Sequence, residues 1–276
     1  MKYLPSSKII NLMLLLIVLI LGAIAFFNPG LVTKQSIERL TKIESQNITN
    51  IRILANQQSE VVLSKNEAWT VTINEKPIPA DEEKITHLLN LVAAQSHASF
   101  SSPDDELSKY KLDTPKVAIK FDEAEIRFGN SEPFSNRRYI YSNDKVHLIT
   151  DHYYPHLVSP VTEFIDKALV TGKNRVTNIK IVWLQKPNVR LPSQAGIELL
   201  QAWQQIRASD IEPYYHQDVI ARVLIQTNNS TITEFGLLTA KNTLKLARKD
   251  LGIVYIVPKQ YMKNLLVFSA ADKTRS

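Results

Sequence analysis

The chain has 276 residues, 44% hydrophobic and 22% charged in mixed signs, which excludes wholesale disorder and supplies a core for one large domain or two small ones. There is no cysteine, so disulfides, thiolate nucleophiles, iron–sulfur clusters and cysteine-based zinc sites are excluded. The net charge of +6 is scattered among acids, without a basic stripe interleaved with aromatics, and no nucleic-acid partner is expected.

The first element in chain order is apolar. Residues 9–27 carry no charge and, at 1.5 Å per residue, rise about 28 Å as a helix, enough for the hydrocarbon core of a bilayer. Lys2 and Lys8 precede it and the next basic residue is Lys34, a bias that puts the N-terminus in the cytoplasm. Asn28-Pro29-Gly30 ends the helix. The rival reading is a signal peptide cleaved after Ala23-Ile24-Ala25, and the continuation of the apolar run through Phe26 and Phe27 favours a retained anchor. The expected localisation is the inner (cytoplasmic) membrane, single-pass, with the C-terminal part in the periplasm or extracytoplasmic space. The expected division is a cytoplasmic N-terminus (1–8), a transmembrane anchor (9–27), a stalk or linker (28–46), a first α+β module (47–170) and a second, degenerate one (171–276).

Alternation predicts strands over Ile48–Leu54, Glu60–Ser64 and Trp69–Ile73. Asp81 then caps a helix whose apolar stripe is Ile85, Leu88, Leu89 and Val92, with His87 on its solvent face. A compact element from Leu107 to Pro115 is anchored by Leu107, Tyr110 and Leu112. Four strands follow as VAIKF, EIRFG, RRYIY and VHLIT, and Phe164-Ile165-Asp166-Lys167 closes the unit. The same order recurs: Ile179–Trp183 as a strand, Ser193 opening a helix in which Ile197 and Leu200 match Ile85 and Leu88, then RVLIQ, TITEFG, LKLARKD and IVYIV. Phe128-Gly129 recurs as Phe235-Gly236, where glycine provides positive φ or a close backbone approach at a strand end. The predicted fold class is α+β: one transmembrane helix followed by two tandem related modules, each an antiparallel β-meander with one covering helix.

Trp69, Pro79-Ala80-Asp81, Leu107, Tyr110, Leu112-Asp113 with Pro115, Ile126-Arg127-Phe128-Gly129, Arg138-Tyr139-Ile140, and Phe164, Asp166-Lys167 and Leu169 together resemble the bacterial domain of unknown function 4340 family. The resemblance covers roughly residues 65–170 and extends weakly beyond. Lys111 departs from it, since the family usually has glycine there. The resemblance implies a single-pass, envelope-facing protein, some of whose relatives accompany ABC-type transport and gliding-motility-like systems. It supplies no catalytic residues.

Candidate interaction residues are those of the first copy without an echo. Arg137 and Arg138 beside Tyr139 are placed to meet an anion or a partner. His152 and His156 are four apart, a metal-ligand spacing on a helix, but Pro155 interrupts it and no HExxH glutamate accompanies it. No metal, cofactor or catalytic residue is expected. Trp69, Asp81, Tyr110, Leu112, Pro115, Gly129, Phe164, Asp166 and Gly236 are read as architecture. The expected function is a non-enzymatic, membrane-anchored accessory or scaffold subunit of an envelope or ABC-type transport complex, with envelope or transporter proteins as partners. The alternative is a periplasmic binding module for a glycan or lipid, motivated by Tyr153, Tyr154, Tyr214 and Tyr215 as exposed aromatics.

Overall fold

Hairpin chemistry sets the sheets. Asn74-Glu75 and Asn143-Asp144 both take positive φ at consecutive positions, the conformation that matches a two-residue turn to the twist of its flanking strands. The computed structural model describes residues 7–27, 38–55, 59–172, 174–184, 193–240 and 242–266.

In chain order these form α1 (Ser7–Phe27), β1 (Glu38–Arg39), β2 (Asn50–Ala55), β3 (Val61–Lys65), β4 (Trp69–Ile73), β5 (Lys76–Pro79) and α2 (Glu82–Asn90). Then come β6 (Gln95–Ser96), β7 (Ala98–Phe100), β8 (Val117–Phe121), β9 (Ala124–Ser131), β10 (Arg137–Ser142), β11 (Lys145–Thr150) and the single turn α3 (Tyr154–Leu157). The remainder is β12 (Val176–Trp183), α4 (Ser193–Gln205), β13 (Asp210–Pro213), β14 (Val219–Thr227), β15 (Ile232–Leu238), β16 (Thr243–Arg248), β17 (Ile253–Pro258) and the turn α5 (Met262–Leu265). The fold is α+β with antiparallel sheets.

Of the two large sheets, one has the order β5-β4-β3-β2-β8-β9-β10-β11-β7 and the other β12-β14-β15-β16-β17-β13, and β1 and β6 form a small third one. Without the added β3–β5 arm, the two orders are the same: a first strand beside a four-strand meander, with the strand that follows the helix on the far edge. The meander strands fall where the alternation put them, but the edge strands β7 and β13 do not read as strands in the sequence. The helices differ from expectation by one residue. In α2 the buried residues are Ile85 and Leu88, whereas in α4 they are Leu199 and Trp203, and Ile197 is 59% exposed. Leu199 and Trp203 are one turn apart and face the sheet together, so Leu88 and Val92 match Leu199 and Trp203.

A single buried core runs through both halves, from Leu40 to Leu266. The β4–β5 turn docks on the β16–β17 turn: the Asn74 amide donates to the Leu251 carbonyl at 2.9 Å, and Lys76 reaches the Asp250 carbonyl at 3.3 Å. Asp166 pairs with Arg207 at 2.7 Å, and the Ala208 N–H donates to the Lys167 carbonyl.

One region departs from the expected division. Residues 38–41 are not a stalk. Leu40 and Thr41 are buried, and their N–H groups donate to the Ala94 and Val92 carbonyls. In α1, side chains are described for residues 11–23 only, a rise of about 20 Å. Among the described residues, no helix is long and apolar enough to cross a membrane.

Candidate functional site

The residues singled out in the first copy fall at the start of α2, in the turn before β8, and along β9, the start of β10 and the α3 corner that follows β11. Asp81 caps α2 by accepting from the Glu83 and Lys84 N–H groups at 3.0 and 3.2 Å. Phe164, Ile165 and Asp166 clip this helix start to the sheet. The Asp81 N–H donates to the Phe164 carbonyl, the Asp166 N–H to the Pro79 carbonyl, and Ala80 bridges Ile165. Trp69, Ala80 and Phe164 are buried around it. These contacts hold the start of α2 against the sheet.

Arg138 is internal rather than presented to a partner. Its guanidinium makes two 2.8 Å bonds to the Asp151 carboxylate and one of 2.6 Å to the Gly129 carbonyl, and lies 3.7 Å from the centre of the Tyr154 ring. Both members of the pair are largely covered. The planar fork matches a carboxylate, a carbonyl and a ring at once. Tyr139 points to the opposite face and packs on Tyr110 at 4.6 Å between ring centres, over Leu107, Leu112 and Val146. Arg137 begins β10 opposite Thr150 and is half-buried.

Tyr110 and Leu112 belong to the 3-10 turn Asp104–Tyr110 and its exit, which Lys111 completes in the left-handed region at φ 58; Pro115 then leads into β8. Gly129 lies inside β9 rather than at its end. A Cβ there would stand 2.3 Å from the Tyr110 carbonyl oxygen, so its role is close approach. Left-handed φ costs a residue with a Cβ roughly 1–2 kcal/mol, partly offset by the greater freedom glycine has when unfolded. Lys111→Gly is therefore expected to raise stability by up to about 1 kcal/mol, read as a higher urea midpoint at unchanged slope.

His152 and His156 are brought together by a third histidine that the helical pattern placed in solvent. His87, near the end of α2, is covered by the α3 corner. Its ring centre lies 4.3 Å from His156, 5.3 Å from Tyr153 and 5.9 Å from His152. Its Nε2 is buried without a hydrogen-bond partner. Burial, then the nearby His156 and His152, pushes the His87 imidazole below its ordinary range. Burial, then Lys84 and His152, does the same to His156, with Glu163 acting in the opposite sense. Lys84 and Glu163 pair at 3.6 Å beside them. Among the described residues, no group of three His, Cys, Asp or Glu side chains could hold a metal ion.

The sign of the resulting pH dependence is fixed. With the folded-state values below 6.5, acid protonates the unfolded chain first, so stability is full above the ordinary imidazole range and falls as pH drops below it. Thermal melts between about pH 7.5 and 5.5 should show a declining Tm. The double substitution His87→Gln with His156→Gln should lessen that decline, leaving the part due to His147.

Of the four tyrosines expected to be exposed, Tyr153 is buried, Tyr154 and Tyr214 are half-buried and only Tyr215 is open. Tyr153 sits against His87 and His152 because the chain turns inward after β11. Gly236 lies within β15, where a Cβ would meet the Val219 side chain at 3.0 Å. The sequence reading missed an apolar cavity of about 280 Å³ in the second half. Trp183, Ile220, Leu237, Leu244, Met262 and Leu266 line it, with Thr239 and Thr243 as its hydroxyl groups. These residues come from four strands, β12, β14, β15 and β16, and the C-terminal turn, so no local pattern marks them.

Comparison with curated proteins and with solved structures finds no match to this chain. The family model described as "Domain of unknown function (DUF4340)" matches residues 69–251, running from the first residue of β4 to the turn before β17, and so takes in most of the second half, over which the resemblance was expected to extend only weakly. With about two thirds of its length matched, the chain belongs to the DUF4340 family.

Proposed function

We propose that this protein is a non-enzymatic, membrane-anchored envelope protein, an accessory or scaffold subunit of an envelope or ABC-type transport complex. One observation carries the reading. Every side chain from Leu12 to Leu21 of α1 is a large hydrophobic at least half exposed, an arrangement that calls for a nonpolar environment. The uncharged stretch 9–27 and the preceding Lys2 and Lys8 support a single-pass anchor with the C-terminal part outside the cytoplasm. The shared strand order of the two sheets supports two related modules arising by duplication. The internal use of Arg138 and Asp151 leaves the first half's most reactive-looking side chains engaged in the fold.

The test is crosslinking in membranes of the native host, followed by purification of the anchored chain. Capture of a transporter permease or ATPase is the expected result. Release of the chain from membranes by alkaline carbonate, or turnover of an envelope substrate by the purified protein, overturns the reading.

The second reading, a periplasmic ligand-binding module, is favoured by the apolar cavity, since a 280 Å³ space exceeds the roughly 150 Å³ cavity that admits benzene in an engineered core. Native mass spectrometry of the purified chain should then find a retained lipid or glycan that Leu244→Trp displaces. A chain that carries nothing, alone or after incubation with envelope lipids, counts against it.

A further inference from the structure

His147 is 1% exposed, and neither of its ring nitrogens has a hydrogen-bond partner. A buried imidazole left this way forgoes the water it bonded when unfolded, a cost on the order of 1–3 kcal/mol, and calls for an explanation. The corresponding inward position of the second sheet explains the shape. Tyr255 occupies it on β17, opposite Ile211 of β13, as His147 stands on β11 opposite Ser99 of β7. An aromatic ring fits there, but this does not account for one that titrates.

What differs between the halves is the cover. Residues 38–41 cross the edge of the first sheet as a strap. β1 pairs with β6, the Leu40 and Thr41 N–H groups donate to Ala94 and Val92, and Asn143 donates to the Leu40 carbonyl at 3.2 Å. Glu38 at its start bonds Lys145 at 2.7 Å and accepts from the Ser99 hydroxyl. Ser99 is the cross-strand neighbour of His147, and Lys145 is two residues before it, so the three side chains share one face and Glu38 lies across them.

We propose that His147 is a proton-operated latch: its protonation releases the strap of residues 38–41, the segment through which the folded body continues toward α1. A charged imidazole cannot stay dry and unpaired. It has to reach water or the Glu38 carboxylate, and the strap and its bond to Lys145 stand in the way of both. The charged groups that act on the ring are Glu38 from β1, which favours its charge, and Lys145 from its own strand, which opposes it; the Ser142 backbone, close to the ring but outside hydrogen-bond geometry, also favours it. Burial outweighs them and holds the imidazole below its ordinary range, so the latch stays closed near neutrality and opens in acid. Lys145, then Ser99, hold Glu38 below the usual carboxylate range, so the carboxylate remains charged while the histidine titrates. The latch does not depend on the proposed transport role.

The experiment is amide hydrogen exchange on the full-length chain in detergent at about pH 7.5 and about pH 5, corrected for the intrinsic pH dependence of exchange. Protection at Leu40 and Thr41 should fall at least about tenfold in acid for the wild type, and by less than about twofold in His147→Phe, which keeps a ring in the space. A fall of the same size in the variant, or none in the wild type, overturns the proposal. Should His147→Phe fail to fold, NMR titration of the wild-type imidazole decides. Its midpoint has to coincide with the loss of protection at Leu40, and titration with the strap still closed, or opening without titration, overturns the latch.

Discussion

Arg138→Ala is expected to lower the free energy of unfolding by about 3–5 kcal/mol, the range for breaking a covered ion pair by removing one partner. The loss is large because three groups lose their partner together: the Asp151 carboxylate, held by two 2.8 Å bonds, the Gly129 carbonyl and the face of Tyr154. Asp151 is left as a largely buried charge without compensation. Arg138→Lys should recover little, since an ammonium cannot span both carboxylate oxygens and a carbonyl. Urea unfolding followed by circular dichroism measures both. A cost below about 1 kcal/mol for Arg138→Ala would return this residue to the class of exposed pairs and revive its candidacy as a partner-facing cation.

Gly129→Ala should be nearly as damaging, at about 3 kcal/mol. The new Cβ would stand 2.3 Å from a backbone oxygen of Tyr110 and 2.9 Å from the Leu112 side chain. Backbone cannot rotate away, so the turn 104–112 has to lift from β9, breaking the Tyr110–Tyr139 packing. Overpacking of this kind costs about 1–3 kcal/mol, occasionally more, and rigid backbone puts it at the upper end. Gly236→Ala is the internal control. Its closest obstacle is the tip of Val219 at 3.0 Å, a methyl that can give by a few tenths of an ångström, and the expected cost is about 1 kcal/mol. Equal costs at the two glycines would mean that contact with the Tyr110 carbonyl is not what restricts position 129. Because Arg138 grips the Gly129 carbonyl, the two substitutions should also be non-additive in a double-mutant cycle.

The hairpins of both meanders were legible because period-two alternation and turn residues are local signals. The Arg138–Asp151 pair was legible in principle. With Arg138 opposite Ile149, Asp151 is its diagonal neighbour on the same face, and reading the register of the hairpin, rather than the strands one at a time, would have found it. The phase of α4 was misread because Ile197 and Leu199 are both apolar; only the sheet beneath chooses between them. His87 was misread for a related reason. Helical phase shows that it lies off the Ile85 stripe, but not that α3 covers that flank. Short edge strands such as β7, the strap at 38–41 and the apolar cavity arise from long-range packing and leave no periodic trace. The family resemblance was correct, and weak over the second half because the second sheet keeps the topology while changing the residues that mark it.

The shared strand order also has a kinetic consequence. Each meander pairs strands that are neighbours in sequence, so its loops close at little entropic cost. β12 meets β14 only after the intervening helix and edge strand have been passed over, and β2, already paired locally with β3, meets β8 across a similar gap. Long-range closure of this kind slows folding. The two meanders and the local β2–β5 arm are therefore the natural early units, β12 and the β2–β8 pairing add afterwards, and the strap, which pairs with β6 and covers a sheet that already exists, closes last. Residues 38–41, which precede both large sheets in the chain, are then the last to be fixed.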